Sequence, residues 1–424
     1  MFLRQLTIRN YKSLRDVTFA PTPLTAIVGP NAAGKSNFAS AVSFLSDVYR
    51  YGLEQAVSRK DGYENIAFRK QKRSKAPIEF EVITDLSLHE AQGAFFAIGR
   101  PLFSQKFRIS HSFSFAAKGT GFRAAFKVGG ESLRVSTDYG HPATKPGFSE
   151  LLSINRLANG EYKLRVNQKW EFAERAKSQL NSLQTTNILY GRSKDQFLLL
   201  PTLRMGNAPL PYGAGVFQFS AEQLRNPGIS TPDPSLSISG DSLPALVDWL
   251  QQNHEKEWGI VLSGMREIMP GLNNISVEYL HNKRLGLFFE EEGVGRSWDV
   301  GEVSGGTIQA LALLVAAVDP RTSLLVIDEV ESSVHPWVLR AIMRQMREVS
   351  KLKNVIVTSH SPVLVNLLKP EEIWIAYRKR GATHLKGLMD LDPSVKEGWE
   401  EGHFRLSEFL DSGVVDQAVP GGAW

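Results

Sequence analysis

Gly29-Pro30-Asn31-Ala32-Ala33-Gly34-Lys35-Ser36, followed by Asn37, fits the pattern G-x-x-x-x-G-K-[ST] in full. Its two glycines permit backbone angles that close a loop around phosphate oxygens, with successive N–H groups turned inward. A helix after the loop adds its positive N-terminus to the same anion. In such a loop Lys35 neutralises β- and γ-phosphate oxygens, and the Ser36 hydroxyl ligates Mg²⁺. A second cluster is Leu324-Leu325-Val326-Ile327-Asp328-Glu329, four apolar residues and then two carboxylates. The apolar run buries a strand, so the acids emerge at its C-terminal end, where ligands of α/β sheets sit. There Asp328 holds Mg²⁺, directly or through water, and Glu329 orients or deprotonates an attacking water. The bland alternative is a strand end meeting solvent.

Two further clusters point the same way. Thr358-Ser359-His360-Ser361-Pro362 follows another apolar strand, and an imidazole at that place can donate to a γ-phosphate. Helix capping by Ser359 or Ser361 is the competing reading. Val303-Ser304-Gly305-Gly306-Thr307 opens an apolar stretch with free backbone N–H groups and a hydroxyl, a second anion site. One subunit does not need two cradles for one nucleotide, so this one is expected to serve the nucleotide of a second subunit. An ordinary Ser N-cap after a Gly turn is the alternative.

The elements that position these residues follow from hydropathy. Residues 2–19 read as two short strands, and Leu24-Thr25-Ala26-Ile27-Val28 as a buried strand ending at Gly29. A helix is expected over 36–51, another over 305–318 and a third over 338–349, with strands at 324–327 and 355–357. Strand–helix alternation of this kind argues for a mostly parallel sheet. Between these ends, 77–170 alternates in the manner of an antiparallel β lobe, with Gly119-Thr120-Gly121 and Gly129-Gly130 read as turns. Residues 171–200 and 241–269 have helical spacing. Residues 205–240, rich in Pro, Gly and Ser, read as a long loop.

Composition excludes several classes. With no cysteine, the chain has no disulfide, no thiol nucleophile and no Cys-ligated zinc or iron–sulfur centre. This fits a cytoplasmic setting. Leu311–Val318, the most apolar later stretch, is far shorter than the ~20 residues of a bilayer helix. The N-terminal apolar run is broken by Arg4 and Gln5, so neither a membrane segment nor a signal peptide is expected. The net charge of +5 decides little by itself. Part of it sits in Arg69, Lys70, Lys72, Arg73 and Lys75, a patch suited to a phosphate backbone or simply to a solvated loop. The tail mixes Leu406, Phe409, Leu410 and Val414 with a Gly-rich end and Trp424, suited to partner docking or to fraying.

In this order the motifs resemble the ABC-type ATPase head shared by SMC and RecF proteins. More narrowly, they resemble the compact prokaryotic AAA-21 group, relatives of the OLD-family ATPases. Ile8-Arg9-Asn10-Tyr11-Lys12-Ser13 is similar to that group's opening strand and turn, and Lys12 is assigned with it to the nucleotide site. Gly29 to Ser36 corresponds to the Walker A loop, Ser304-Gly305-Gly306-Thr307 to the signature and Leu324 to Glu329 to Walker B. Glu331 through Pro336 matches the D-loop and His360 the switch histidine. Ser239-Gly240-Asp241-Ser242-Leu243 is similar to a segment often found before the signature. Val330 stands where the group usually has Pro, and Val303 where it has Leu. Gln55 and Gln71 are the candidates for the Q-loop.

The resemblance implies a P-loop NTPase fold of ABC-ATPase type: an α/β sheet with helices, an antiparallel β subdomain and an inserted α+β lobe. The expected boundaries are 1–60 and 275–390 for the two parts of the head, 61–274 for the insert and 391–424 for a tail. It further implies ATP and Mg²⁺ as ligands, with Lys35, Glu329 and His360 catalytic, and a homodimer closed around two ATP. In that dimer Ser304 and Gly306 of one head meet the γ-phosphate held by Lys35 of the other, and higher oligomers can build on it. Only 64 residues follow His360, too few for the OLD nuclease domain, and long coiled coils are missing. The expected role is therefore an ATP-hydrolysing switch that works with a separate effector in prokaryotic anti-phage defence. The alternatives are a RecF-like DNA-binding ATPase and a non-hydrolysing ATP-bound scaffold.

Overall fold

The computed structural model describes residues 1–68, 76–87, 106–118, 125–137, 148–156, 162–168, 174, 213–280 and 283–412. The basic run Arg69, Lys70, Gln71, Lys72, Arg73 and Lys75 lies outside them, as do Trp424 and nearly all of the helical span expected at 171–200. The chain divides into two compact units, each assembled from separated stretches. The first comprises 1–21, 40–213 and 378–385; the second comprises 22–39, 214–377 and 386–424.

The first unit is built on antiparallel pairing. Numbering strands along the chain, it contains β1 (Phe2–Tyr11), β2 (Leu14–Phe19), β4 (Ile78–Ser87), β5 (Lys106–Lys118), β6 (Ala125–Thr137), β7 (Ser149–Arg156) and β8 (Tyr162–Val166), in the order β8-β7-β6-β5-β4-β1-β2. Period-two alternation puts Leu6, Ile8, Phe80, Val82, Ile109 and Phe113 on a buried face. Rings of Tyr11, Phe44, Phe80, Phe113 and Phe115 pack there with neighbouring centroids 5.4 to 5.9 Å apart. Each such pair contributes roughly 0.5–1.5 kcal/mol beyond its area.

Gly129 and Gly130 do not form the expected turn: they lie inside β6. The β5–β6 register shifts between Phe113 and Phe115, opposite these glycines. A Cβ on Gly129 would come 2.7 Å from Ser114 Oγ, and Gly130 N donates to that same oxygen at 2.8 Å. Glycine here marks a bulge with close backbone approach.

In the second unit β16 (Ile373–Lys379), β3 (Leu24–Val28), β15 (Asn354–Ser359), β14 (Leu324–Ile327) and β9 (Ala214–Phe217) lie side by side in that order. Every pairing among them is parallel, as expected. β3, β14 and β15 are buried along their whole length, which explains their largely apolar runs. The helix Gly305–Val318 buries every residue from Ile308 onward, all of them apolar except Gln309, so it is a core helix. A smaller antiparallel sheet holds β10 (Gly228–Ile229), β11 (Leu272–Tyr279), β12 (Arg284–Glu291) and β13 (Trp298–Asp299).

Within its described part, 213–240, the span expected as a long loop is not one loop. It supplies β9, the helix Ala221–Leu224 and β10. β9 has only four residues, two of them Ala and Gly with weak strand preference. Its pairing with β14, from Ala214 opposite Leu324 to Phe217 opposite Ile327, is what makes it a strand. The helical span expected at 241–269 breaks at His254 into Leu243–Asn253 and Glu255–Ile268. Among the described residues no helix is long and apolar enough to cross a membrane.

Candidate functional site

The phosphate loop begins where β3 stops. β16 runs on beside it, with Ile375 opposite Val28, so Ala376 is the next residue against Gly29. A Cβ on Gly29 would lie 2.1 Å from Ala376 O, and the residue's φ of +154° is also one that favours glycine. Ala32 and Gly34 follow at φ of 62° and 107°, completing a loop of alternating handedness. Asn31, Ala32 and Ser36 are exposed, Gly29, Pro30, Gly34 and Asn37 are partly covered, and Ala33 is buried. The helix Lys35–Tyr51 then begins, with no acidic residue in its first turn to oppose an anion.

Lys35 is buried, and its Nζ folds back to donate to Gly29 O at 2.8 Å and Pro30 O at 3.2 Å. Burial holds this ammonium below the ordinary lysine value. The carboxylates of Glu331, Asp328 and Glu329, in that order, pull it back up. The loop lysine and three acids thus share one electrostatic neighbourhood.

Asp328 is buried at the end of β14, and its N–H donates to Phe217 O of β9 at 2.7 Å. The newly recognised strand therefore fixes the acid-bearing turn. Glu329 takes a φ of 55°, uncommon for a residue with a side chain and held here by its neighbours. Thr358 supplies the restraint: its Oγ1 donates to Asp328 Oδ1 at 2.5 Å and accepts from Glu329 N at 2.9 Å. His360 is exposed, and its N–H donates to Glu331 Oε1 at 2.8 Å; its Nδ1 lies 3.1 Å from that oxygen.

The signature residues stand at the start of the helix Gly305–Val318. Ser304 Oγ accepts from Thr307 N at 3.1 Å, so its N-cap role is real, and the residue stays exposed. Arg225 holds the preceding turn, donating to Val300 O at 3.3 Å and Val303 O at 2.8 Å. A Cβ on Gly306 would meet Ser333 O at 3.0 Å, which puts this glycine against the segment 331–336. Within that segment His335 accepts from Trp337 N and caps the helix Pro336–Val349.

The second unit therefore contains Gly29 to Asn37, Ser304 to Gly306, Asp328, Glu329 and His360. Lys12 belongs to the first unit, where its Nζ donates to Ser40 Oγ at 2.8 Å. Gln55 is exposed in the helix Leu53–Ser58, also in the first unit. Arg225, Thr358 and the carboxylate of Glu331 were given no individual role by the sequence. The one available signal was a hydroxyl two residues before the histidine, in line with the acids of the neighbouring strand.

A divalent cation suits this donor set. Glu331 Oε2 is buried without a hydrogen-bond partner, although its side chain is only 12% exposed. Three carboxylates face one ammonium, an imbalance a doubly charged ion corrects. Among the described residues no three His, Cys, Asp or Glu side chains converge into a ready-made metal site.

Residues 1–195 match the family model described as "AAA ATPase domain". Residues 208–366 match the AAA-21 family model, described as "AAA domain, putative AbiEii toxin, Type IV TA system". A 48-residue segment is 44% identical to the OLD nuclease of Thermus scotoductus, covering 11% of this chain and 9% of that protein. The chain thus spans about a tenth of the length of that curated relative. The fold is similar to a crystal structure of the SmcHead bound to the C-winged helix domain of ScpA, with TM-score 0.52 and 14% identity, over 91% of this chain and 98% of that one. The SMC head domain of Thermotoga maritima aligns with TM-score 0.42 and 14% identity, over 91% and 99%. The two family matches, each over less than half of the chain, and the SMC-head-like fold support the resemblance to an ABC-type ATPase head of the SMC/RecF/OLD-like class that the order of the motifs carries.

Proposed function

We propose that the chain is a Mg²⁺-dependent ATP-hydrolysing switch that closes into a homodimer around two ATP and acts with a separate effector in prokaryotic anti-phage defence. The observation that carries the hydrolytic part is the shared neighbourhood of Lys35, Asp328, Glu329 and Glu331, with His360 bonded to Glu331. In this reading Lys35 leaves the carbonyls of Gly29 and Pro30 to neutralise the β- and γ-phosphate oxygens. Ser36 and Asp328 would hold Mg²⁺, which would supply positive charge against the phosphate oxygens. Glu329 takes the proton of the attacking water, and His360 donates to the γ-phosphate. Phosphoryl transfer asks little more of a protein than such positioning and charge.

The exposure of Ser304 at its helix start supports a sandwich, since a cradle facing solvent is available to a second copy. The AbiEii and Type IV TA description of the 208–366 match supports a defence role. The ScpA domain seated on the SmcHead is a precedent for a separate protein docking on this fold. Glu329→Gln, which removes the base and keeps the shape, should trap an ATP-bound dimer. Light scattering of that variant with saturating ATP and Mg²⁺ tests this; a monomer there would refute the sandwich.

A further inference from the structure

Thr358 sits in β15 one position past Val357, the last residue of that strand paired with β14, opposite Ile327. It therefore faces Asp328 across the strand gap. The residue is completely buried. From this one place it bonds three consecutive residues of the acidic turn: its Oγ1 donates to Asp328 Oδ1 and accepts from Glu329 N, and its carbonyl accepts from Val330 N at 3.3 Å.

A hydroxyl has one proton to give. Glu329 N–H is itself a donor, so the proton of Thr358 is committed to Asp328 Oδ1 and its lone pair to Glu329. Among the described residues Asp328 Oδ2 receives no hydrogen bond, so Oδ1 is anchored while Oδ2 stays available. The same hydroxyl pins the N–H of Glu329, the residue whose φ of 55° departs from the ordinary strand exit. One side chain thus sets how the metal-side acid is rotated and where the base-side acid leaves the strand.

We propose that Thr358 is a positioning residue that fixes Asp328 for the divalent cation and Glu329 for the attacking water through a single hydroxyl. The proposal rests on the ATPase reading above. Valine keeps the shape of threonine and its strand preference but removes both hydroxyl bonds. Serine keeps the hydroxyl.

The test compares wild type, Thr358→Val and Thr358→Ser in the full chain. Binding of a fluorescent ATP analogue is titrated in EDTA and again in Mg²⁺, and steady-state hydrolysis is measured across Mg²⁺ concentrations. Thr358→Val should bind the analogue in EDTA within about twofold of wild type. It should need roughly 10–100-fold more Mg²⁺ for the metal-dependent gain in affinity, with kcat lowered by a similar factor, the usual effect of losing a partner of a metal ligand. Thr358→Ser should restore both within about threefold. A Thr358→Val protein with wild-type Mg²⁺ dependence and kcat overturns the proposal, as does a Thr358→Ser protein impaired as badly as the valine. If valine prevents folding, Thr358→Ala is read against serine in the same two titrations. Wild type that binds no nucleotide under either condition refutes the nucleotide reading itself, and this role with it.

Discussion

Substituting Gly29 by alanine puts a number on the architecture of the phosphate loop. The added Cβ would stand 2.1 Å from Ala376 O, where ordinary contact begins near 3.4 Å, so two backbones have to part by about 1.3 Å. Neither partner is a flexible side chain. Ala376 belongs to β16, whose Ile373 to Ile375 are locked to Ala26 to Val28 of β3. Overpacking of this kind costs about 1–3 kcal/mol, and holding an L-residue outside its favoured φ adds about 1. Gly29→Ala should therefore destabilise the second unit by about 2–4 kcal/mol and weaken nucleotide affinity at least about tenfold, since the loop moves with the strand end. Urea unfolding, with and without ATP, reads the first effect; fluorescence titration reads the second. Gly52→Ala is the control: its φ is +90° but nothing lies within 4 Å of the added Cβ, so it reports strain without a clash. A Gly29→Ala protein with an unchanged midpoint and unchanged affinity would refute the reasoning.

Two other substitutions test neighbouring features. Buried Lys353 donates to Asp319 O at 2.8 Å, and burial lowers its pKa to about 8 from the ordinary 10.5, with Asp319 opposing. Between those values the unfolded chain holds the proton and the folded chain does not, so stability rises with pH across that window, by up to about 3 kcal/mol. Lys353→Met should flatten the rise in urea midpoints measured from pH 8 to 10; an unaltered slope would assign it to other groups. Arg225→Ala strips the donors from Val300 O and Val303 O and should cost about 1 kcal/mol. Its mark is faster amide hydrogen exchange confined to residues 300–307, and unchanged exchange there would remove Arg225 as the clamp of the signature turn.

Much of the second unit was legible because its signals are local. β3, β14 and β15 each carry at least three apolar residues within one strand length, and the helix Gly305–Val318 announces itself by the apolar run from Ala310 to Val318. The glycines and lysine of the phosphate loop carry their meaning in their spacing. What escaped depends on partners far along the chain. Ala214–Phe217 is a strand because β14 lies beside it, and Gly129 is a bulge because Ser114 lies opposite. Thr358 has a task because β15 and β14 pair in one register; shifted by one residue, its hydroxyl would face away from Asp328. Arg225 looked like one more polar residue in a Pro- and Gly-rich stretch, since nothing local predicts which carbonyls it will meet.

The pairing of β3 also sets a clock for biosynthesis. Its two neighbours, β15 and β16, begin at Asn354 and Ile373, so 325 residues lie between the end of β3 and the first strand that can flank it. At ribosomal rates of about 5–20 residues per second, the phosphate loop waits roughly 15–65 s for a partner after it is made. During that interval an apolar strand stands with both edges open, a template for wrong pairing. A nascent chain stalled before residue 354 would carry every residue of the loop and neither of the strands that flank β3, so release at that point should yield insoluble protein.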